Sequence, residues 1–194
     1  MMASSMLSCG SLSRFALLLV LLLGAVFAAP SRADGIEIRQ AALATSAEDG
    51  TYLEAEFEIT LTPVLEDALN KGVPLYFLLE FQLTRPRWYW FNEKLADVRQ
   101  SYRLSYNALT RQYRVGVGTL YQNFPSLAEA LAFMSRVRVR DVVEPGALAK
   151  GSSYMAEMRV RLDNSQLPRP FQVSAVGSRE WSVSSDWYRW TVTP

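Results

Sequence analysis

Between Thr51 and Thr62 the chain alternates with a period of two: Leu53, Ala55, Phe57, Ile59 and Leu61 fall on one side, Glu54, Glu56, Glu58 and Thr60 on the other. That spacing predicts a strand with one face against an apolar core and the other in water. A shorter alternation covers Ile36 to Leu43, and the run from Leu75 to Leu83 is apolar on both sides until Glu80, the signature of a central strand. Next, Ala96, Val98, Tyr102, Leu104 and Tyr106 oppose Asp97, Arg99, Ser101, Arg103 and Ser105. A turn at Asn107 to Thr110 returns the chain through Tyr113, Val115 and Val117, with Gly116 and Gly118 marking a bulge or close approach near the strand end. Val137 and Val139 between Arg136, Arg138 and Arg140 predict another strand, as do Tyr154, Ala156, Met158, Val160 and Leu162. Tyr188, Trp190 and Val192 share one face of a last one. Three glutamates in one row repel each other, and Arg99, Arg103 and Arg114 are the expected cross-strand answer to Glu54, Glu56 and Glu58.

Two helices interrupt this pattern. Thr62 is placed as an N-cap with Pro63 at the first helical position, Val64, Leu65, Ala68 and Leu69 form one stripe, and Lys71-Gly72 closes it. Ser126 and Glu129 have the spacing of a capping box ahead of Leu127, Ala130, Leu131 and Met134. The segment from Asp163 to Pro170 reads as a proline-interrupted connection. The expectation is a mainly β fold, an antiparallel β-sandwich with two short helices.

The first 33 residues differ in kind. Arg14 precedes an unbroken apolar run from Phe15 to Ala29, and Ser31-Arg32-Ala33 offers small residues at the −3 and −1 positions of a cleavage site. This is the layout of a signal peptide, and the run is short of the roughly 20 residues a bilayer span needs, although an uncleaved anchor is the alternative. Cys9 lies before the apolar run, so it is not placed to carry a lipid. Removing residues 1–33 from 194 leaves 161, the size of a single domain over 34–194. It also removes the one cysteine, so a packed core and not a disulfide must supply stability. Of 20 basic residues two leave with this segment while all 19 acids stay, which makes the remainder nearly neutral. Nucleic acid is therefore not an expected partner, and a membrane is one only through an uncleaved leader.

The chain has no histidine. With cysteine confined to the leader, Ser-His-Asp and Cys-His nucleophilic sites, His/Cys zinc sites, haem attachment and redox thiols are excluded for the domain. No Asp/Glu run has EF-hand spacing and no glycine-rich phosphate loop follows a strand, so no metal and no cofactor is expected. Carboxylate acid/base chemistry remains open, with Glu93 and Asp97 or Asp141 and Glu144 as pairs, and so does Ser-Lys chemistry, although Lys71, Lys94 and Lys150 lie near turns where an amine is hard to desolvate.

Tryptophan placement is the other signal. Trp88 and Trp90 stand with Arg85 and Arg87, while Trp187 and Trp190 stand with Arg189 and Asp186, just after Trp181. Meeting in space, these rings and guanidinium groups would form a binding patch; otherwise they close one end of the sandwich.

The segments RPRWYWFNEK, YRLSYNALTRQYRV, SLAEAL, YMAEMRVRLDNSQLPRPFQV and SSDWYRW together resemble the DUF4390 family of proteobacterial exported proteins, over essentially the whole of 34–194. The resemblance implies a domain without assigned activity or catalytic residues, in proteins encoded beside a membrane sensor kinase of the nitrogen-regulation type. The expected role is a non-catalytic periplasmic binding or accessory protein that engages an envelope protein or ligand, with the sensor kinase as a candidate partner. A carboxylate-based envelope hydrolase and a structural envelope component are the alternatives.

Overall fold

The computed structural model describes residues 35–46, 50–87, 89 and 92–194. The leader expected at 1–33, Trp88 and Trp90 lie outside them. Strands account for 54% of the described residues, all paired antiparallel in two sheets that do not close into a barrel, so the β-sandwich expectation holds. No helix among the described residues is long and apolar enough to cross a membrane.

The smaller sheet is β1 (Gly35–Ser46), β2 (Gly50–Thr60) and β7 (Arg136–Val143), with β2 in the middle. The larger has the order β6-β5-β4-β3-β8-β9, built from β3 (Leu75–Arg85), β4 (Glu93–Asn107), β5 (Gln112–Val117), β6 (Leu120–Phe124), β8 (Tyr154–Leu162) and β9 (Tyr188–Val192). One core joins their inner faces: Leu53, Ala55, Phe57 and Ile59 from β2, Leu75, Phe77, Leu79, Phe81 and Leu83 from β3, and all five inward residues of β8. β3 is central, as its two-sided hydrophobicity predicts, between β4 and β8.

The expected arginine partners of the β2 glutamates are corrected. β2 pairs with β1 and β7, never with β4, so Arg136 Nε meets Glu56 Oε1 at 3.2 Å and Arg39 Nη2 meets Glu58 Oε2 at 2.8 Å. Arg138 stands in register with Glu54, its guanidinium 4.1 Å from the Tyr52 ring centroid. Alternation fixes which face a side chain takes but carries no information about which strand lies next door.

Helix α1 (Pro63–Asn70) starts as expected: the Thr62 hydroxyl accepts from Leu65 N–H at 3.2 Å, and Leu65, Ala68 and Leu69 are buried. That hydroxyl also donates to the Glu180 carbonyl at 2.8 Å, tying the helix start to the C-terminal segment. Helix α2 (Leu127–Met134) is capped by Ser126, which accepts from Glu129 N–H and donates to Glu129 Oε1 at 2.9 Å. A third helix, α3 (Arg169–Ala175), starts at the last two residues of the connection expected over Asp163–Pro170 and runs on past it. Pro168 and Pro170 fall at its N-cap and first turn, where a missing N–H costs nothing, so these prolines open a helix instead of preventing one. Single 3-10 turns at Asn164–Gln166 and Arg179–Trp181 flank it, and the Phe171 ring packs 5.8 Å from the buried Trp181.

The β4–β5 hairpin forms at the expected turn, where Asn107 Oδ1 accepts from Leu109 N–H at 3.0 Å. The close approach expected near Gly116 is also present: a Cβ there would come within 2.7 Å of the Tyr121 ring. Tyr121 belongs to β6, a strand the sequence does not announce, because LYQNF has four exposed residues out of five and no alternation. Gly118, at φ +58°, opens the two-residue turn that leads into it, the position a type II′ hairpin reserves for glycine.

Candidate binding surface

The outward residues of the six-stranded sheet form rows across its strands. Tyr76, Leu78, Glu80 and Gln82 on β3 stand beside Arg103, Ser101, Arg99 and Asp97 on β4. On the other side Leu78, Glu80 and Gln82 stand beside Arg161, Arg159 and Glu157 of β8, and Glu157 beside Arg189 of β9. Glu80 is the centre. It is only 8% exposed, and its Oε2 accepts from Arg159 Nη2 at 2.5 Å, Arg159 Nε at 3.0 Å and Arg161 Nε at 3.2 Å. Burial pushes the carboxyl up, but the hydrogen bonds and charges of the two arginines outweigh it and hold Glu80 below the ordinary glutamate range.

The arginines are not consumed by this acid. The Arg159 guanidinium also lies 4.5 Å from the Trp187 ring centroid, a cation-π contact, and Arg103 lies 5.8 Å from that of Tyr76. Arg99, in register with Glu80 on the β4 side, is 63% exposed, and its carboxylate contact, to Asp97, is long at 3.9 Å. Asp97 is itself taken by Lys94 at 2.6 Å, which holds its carboxyl low. The face therefore presents Arg99, Arg103, Arg159, Arg161 and Arg189 against Glu80, Asp97 and Glu157, an excess of cationic, planar donors beside aromatic rings. Such a surface suits carboxylate or phosphate groups, which guanidinium forks grip bidentately. Trp187 in addition borders a depression of about 170 Å³ between β1 and the chain entering β9.

A family model described as a domain of unknown function (DUF4390) matches residues 33–191. The chain belongs to the DUF4390 family. No curated protein and no solved structure matches it.

This DUF4390 domain separates the residues that the tryptophan pattern groups together. Trp187 sits half-buried beneath Arg159, and Arg189 donates from Nε to Glu157 Oε1 at 3.0 Å, both at the outer face. Trp190 has the opposite parity: it packs onto the core, with ring centroids 6.1 Å from Phe81 and 5.7 Å from Tyr188. Arg85, at the end of β3, donates from Nη2 to the Tyr154 hydroxyl at 2.8 Å, and Arg87 donates to Glu93 at 2.5 Å. From Arg85 to the row holding Glu80, Arg159 and Trp187 is five residues along the strand, about 17 Å. The offset arises because β9 begins opposite Met158, halfway along β8, so Trp187 lands mid-sheet while Arg85 and Arg87 stay at its end. Trp88 and Trp90, next to Arg87 in sequence, lie outside the described residues.

The carboxylates weighed for acid/base work are placed differently again. Glu93 is bound by Arg85 and Arg87, Asp97 by Lys94, and Asp141 occupies a bulge of β7 with φ +52°. Among the described residues no cluster of three carboxylates capable of holding a metal forms.

Sequence reasoning names Glu80, Arg99 and Arg103 but does not unite them with Arg159 and Arg161. The signal that could have done so is Glu80 itself, an acid in the otherwise apolar LYFLLEFQL of a central strand. A buried carboxylate there demands cations on the neighbouring strands, and MAEMRVRL is the other strand with two arginines on its polar parity beside a fully buried face.

Proposed function

We propose that this protein is an exported, non-catalytic binding module of the periplasm, an accessory that holds an anionic segment of an envelope protein against the outer face of its larger sheet. The sensor kinase that the family resemblance associates with such proteins is the partner to test first. The observation that carries the reading is the Glu80 row: Arg159 and Arg161 clamped in place by one acid, Trp187 beneath Arg159, and Arg99 projecting beside them with only a long contact to a shared carboxylate. Positions held rigid in advance lose little entropy on binding, and Arg and Trp supply most interface energy where they are present.

The test replaces Arg99 and Arg103 by Glu, singly and together. Both side chains point to water and hold no buried partner, so the fold survives and only the surface potential changes. A photo-crosslinker at Ser101, between them, should capture the extracytoplasmic part of the kinase in cells, and the double variant should abolish that product at unchanged protein level. Equal capture by the double variant refutes the surface. Export is checked separately by intact mass: the protein recovered from the periplasm should begin at Asp34.

A further inference from the structure

Sheet edges offer free backbone donors and acceptors, and proteins guard them with charge, proline or bulges. Among the described residues the two sheets have four edges, and three of them are guarded. β1 carries Glu37 and Arg39 and breaks register between Ile38 and Gln40. β7 carries Arg136, Arg138 and Arg140 and bulges at Asp141. β9 carries Arg189 and runs towards Pro194. β6 has none of these devices. Its ladder with β5 is unbroken from Leu120 to Phe124, it contains neither charge nor proline, and Leu120, Tyr121, Gln122 and Asn123 are all exposed.

The flanks of this edge carry a pattern of their own. On the outer face Tyr121 folds back over Gly116 instead of covering the edge. Beside it Arg114 Nε donates across the strand to Asn123 Oδ1 at 2.9 Å, which carries the guanidinium over β6 towards the edge, and no ion pair joins it to a carboxylate among the described residues. On the inner side stand Leu120, 76% exposed, and Phe133, whose ring packs 5.1 Å from that of Phe124 and is itself 43% exposed. A strand added here meets the Arg114 guanidinium on one parity and apolar surface on the other.

We infer that β6 is a docking edge for an extended segment of a partner protein in which acidic and apolar residues alternate, adding a seventh strand to the sheet. Backbone hydrogen bonds supply the attachment, and the alternating side chains supply register and selectivity. A second copy of this chain does not fit: β6 has no acid, so a β6–β6 pairing would leave both copies of Arg114 unanswered. Residues 1–33 contain no acid either, so their composition does not complement Arg114. The site rests on none of the residues around Glu80 and Trp187, so its failure leaves the proposed function standing.

The test uses isotope-labelled protein, purified as the cell leaves it, and two short capped peptides, one alternating Glu and Val, the other Lys and Val. The Glu–Val peptide should shift the amide resonances of β6 and slow their exchange with solvent, while the Lys–Val peptide does neither. Arg114→Glu should weaken the Glu–Val peptide by about tenfold and admit the Lys–Val peptide, since the cross-strand pair turns from attraction to repulsion. Leu120→Lys, a guard charge at an exposed position, should abolish binding of both with the rest of the spectrum unchanged. Equal response to the two peptides, shifts confined to other strands, or no binding of the Glu–Val peptide overturns the inference. So does a dimer in sedimentation that Leu120→Lys dissolves, which would make a second copy the occupant.

Discussion

Replacing Glu80 by Gln keeps the volume and one acceptor oxygen but removes the charge that Arg159 and Arg161 share. Three hydrogen bonds converge on Glu80 Oε2, and all three lose their ionic component. A hydrogen bond to a charged group contributes about 1.5–3 kcal/mol and a neutral one about 0.5–1.5, so each bond stands to lose about 1 kcal/mol. They do not add in full, because all three share one oxygen and the arginine side chains are 29% and 33% exposed, which lets water take part of the load. The expected cost is about 1–2 kcal/mol at neutral pH, a fall in midpoint temperature of about 3–6 °C for a domain of this length. The pH dependence follows from the direction of the shift. Glu80 is held below its ordinary 4.5, so its contribution is complete above that value and disappears as pH falls through the lower, folded one. Once protonated, Glu80 is nearly the isostere of Gln, and the two proteins should converge. Urea unfolding followed by tryptophan fluorescence, at about pH 7 and again below about pH 3, measures both ends. An unchanged midpoint for Glu80→Gln at neutral pH refutes the clamp, and a stability gap that persists undiminished in acid refutes the assignment of the shift to this carboxyl.

Other substitutions probe the fold at separate points. Tyr154→Phe removes a fully buried hydroxyl that accepts from Arg85 and from Ala149 N–H, both at 2.8 Å; leaving these donors without an acceptor should cost about 1–3 kcal/mol in the same urea assay. Thr62→Ala strips the cap of α1 and the bond to Glu180, with an expected loss of about 1–2 kcal/mol, whereas Thr62→Ser should restore most of it. Burial pushes the Tyr102 phenol from 10.0 up to about 12. The unfolded chain therefore releases that proton first, and the domain should lose stability as pH rises across this interval. Thermal melts of Tyr102→Phe should show a shallower alkaline decline.

Much of this architecture is legible in the chain because burial writes a period. Leu53 to Leu61 and Tyr154 to Leu162 each alternate without a fault, and each forms a strand with the expected face inward. Caps are equally legible, since Thr62 and Ser126 act through local geometry a few residues long. What the pattern does not carry is adjacency. Nothing in the glutamates of β2 says that their neighbours are Arg39 and Arg136 and not the arginines of β4 and β5, because that choice is made by the pairing of whole strands. β6 escapes notice for the opposite reason: it buries almost nothing and so leaves no period to read. The grouping of Trp187 with Arg85 fails on offset, for residues that flank two strands in sequence meet only if those strands are in step.

The middle strand of the larger sheet has consequences in time as well as in space. β3 finds one neighbour a turn away, but Glu80 meets Arg159 from 79 positions further on, and Glu56 meets Arg136 from 80. Neither sheet can be completed until those late segments exist alongside the early ones. Chains closed by such distant pairings assemble slowly, on the order of milliseconds to seconds. Until then the early part of the chain can form only its local pairs, β1 with β2 and β3 with β4, each with a side still waiting for a strand.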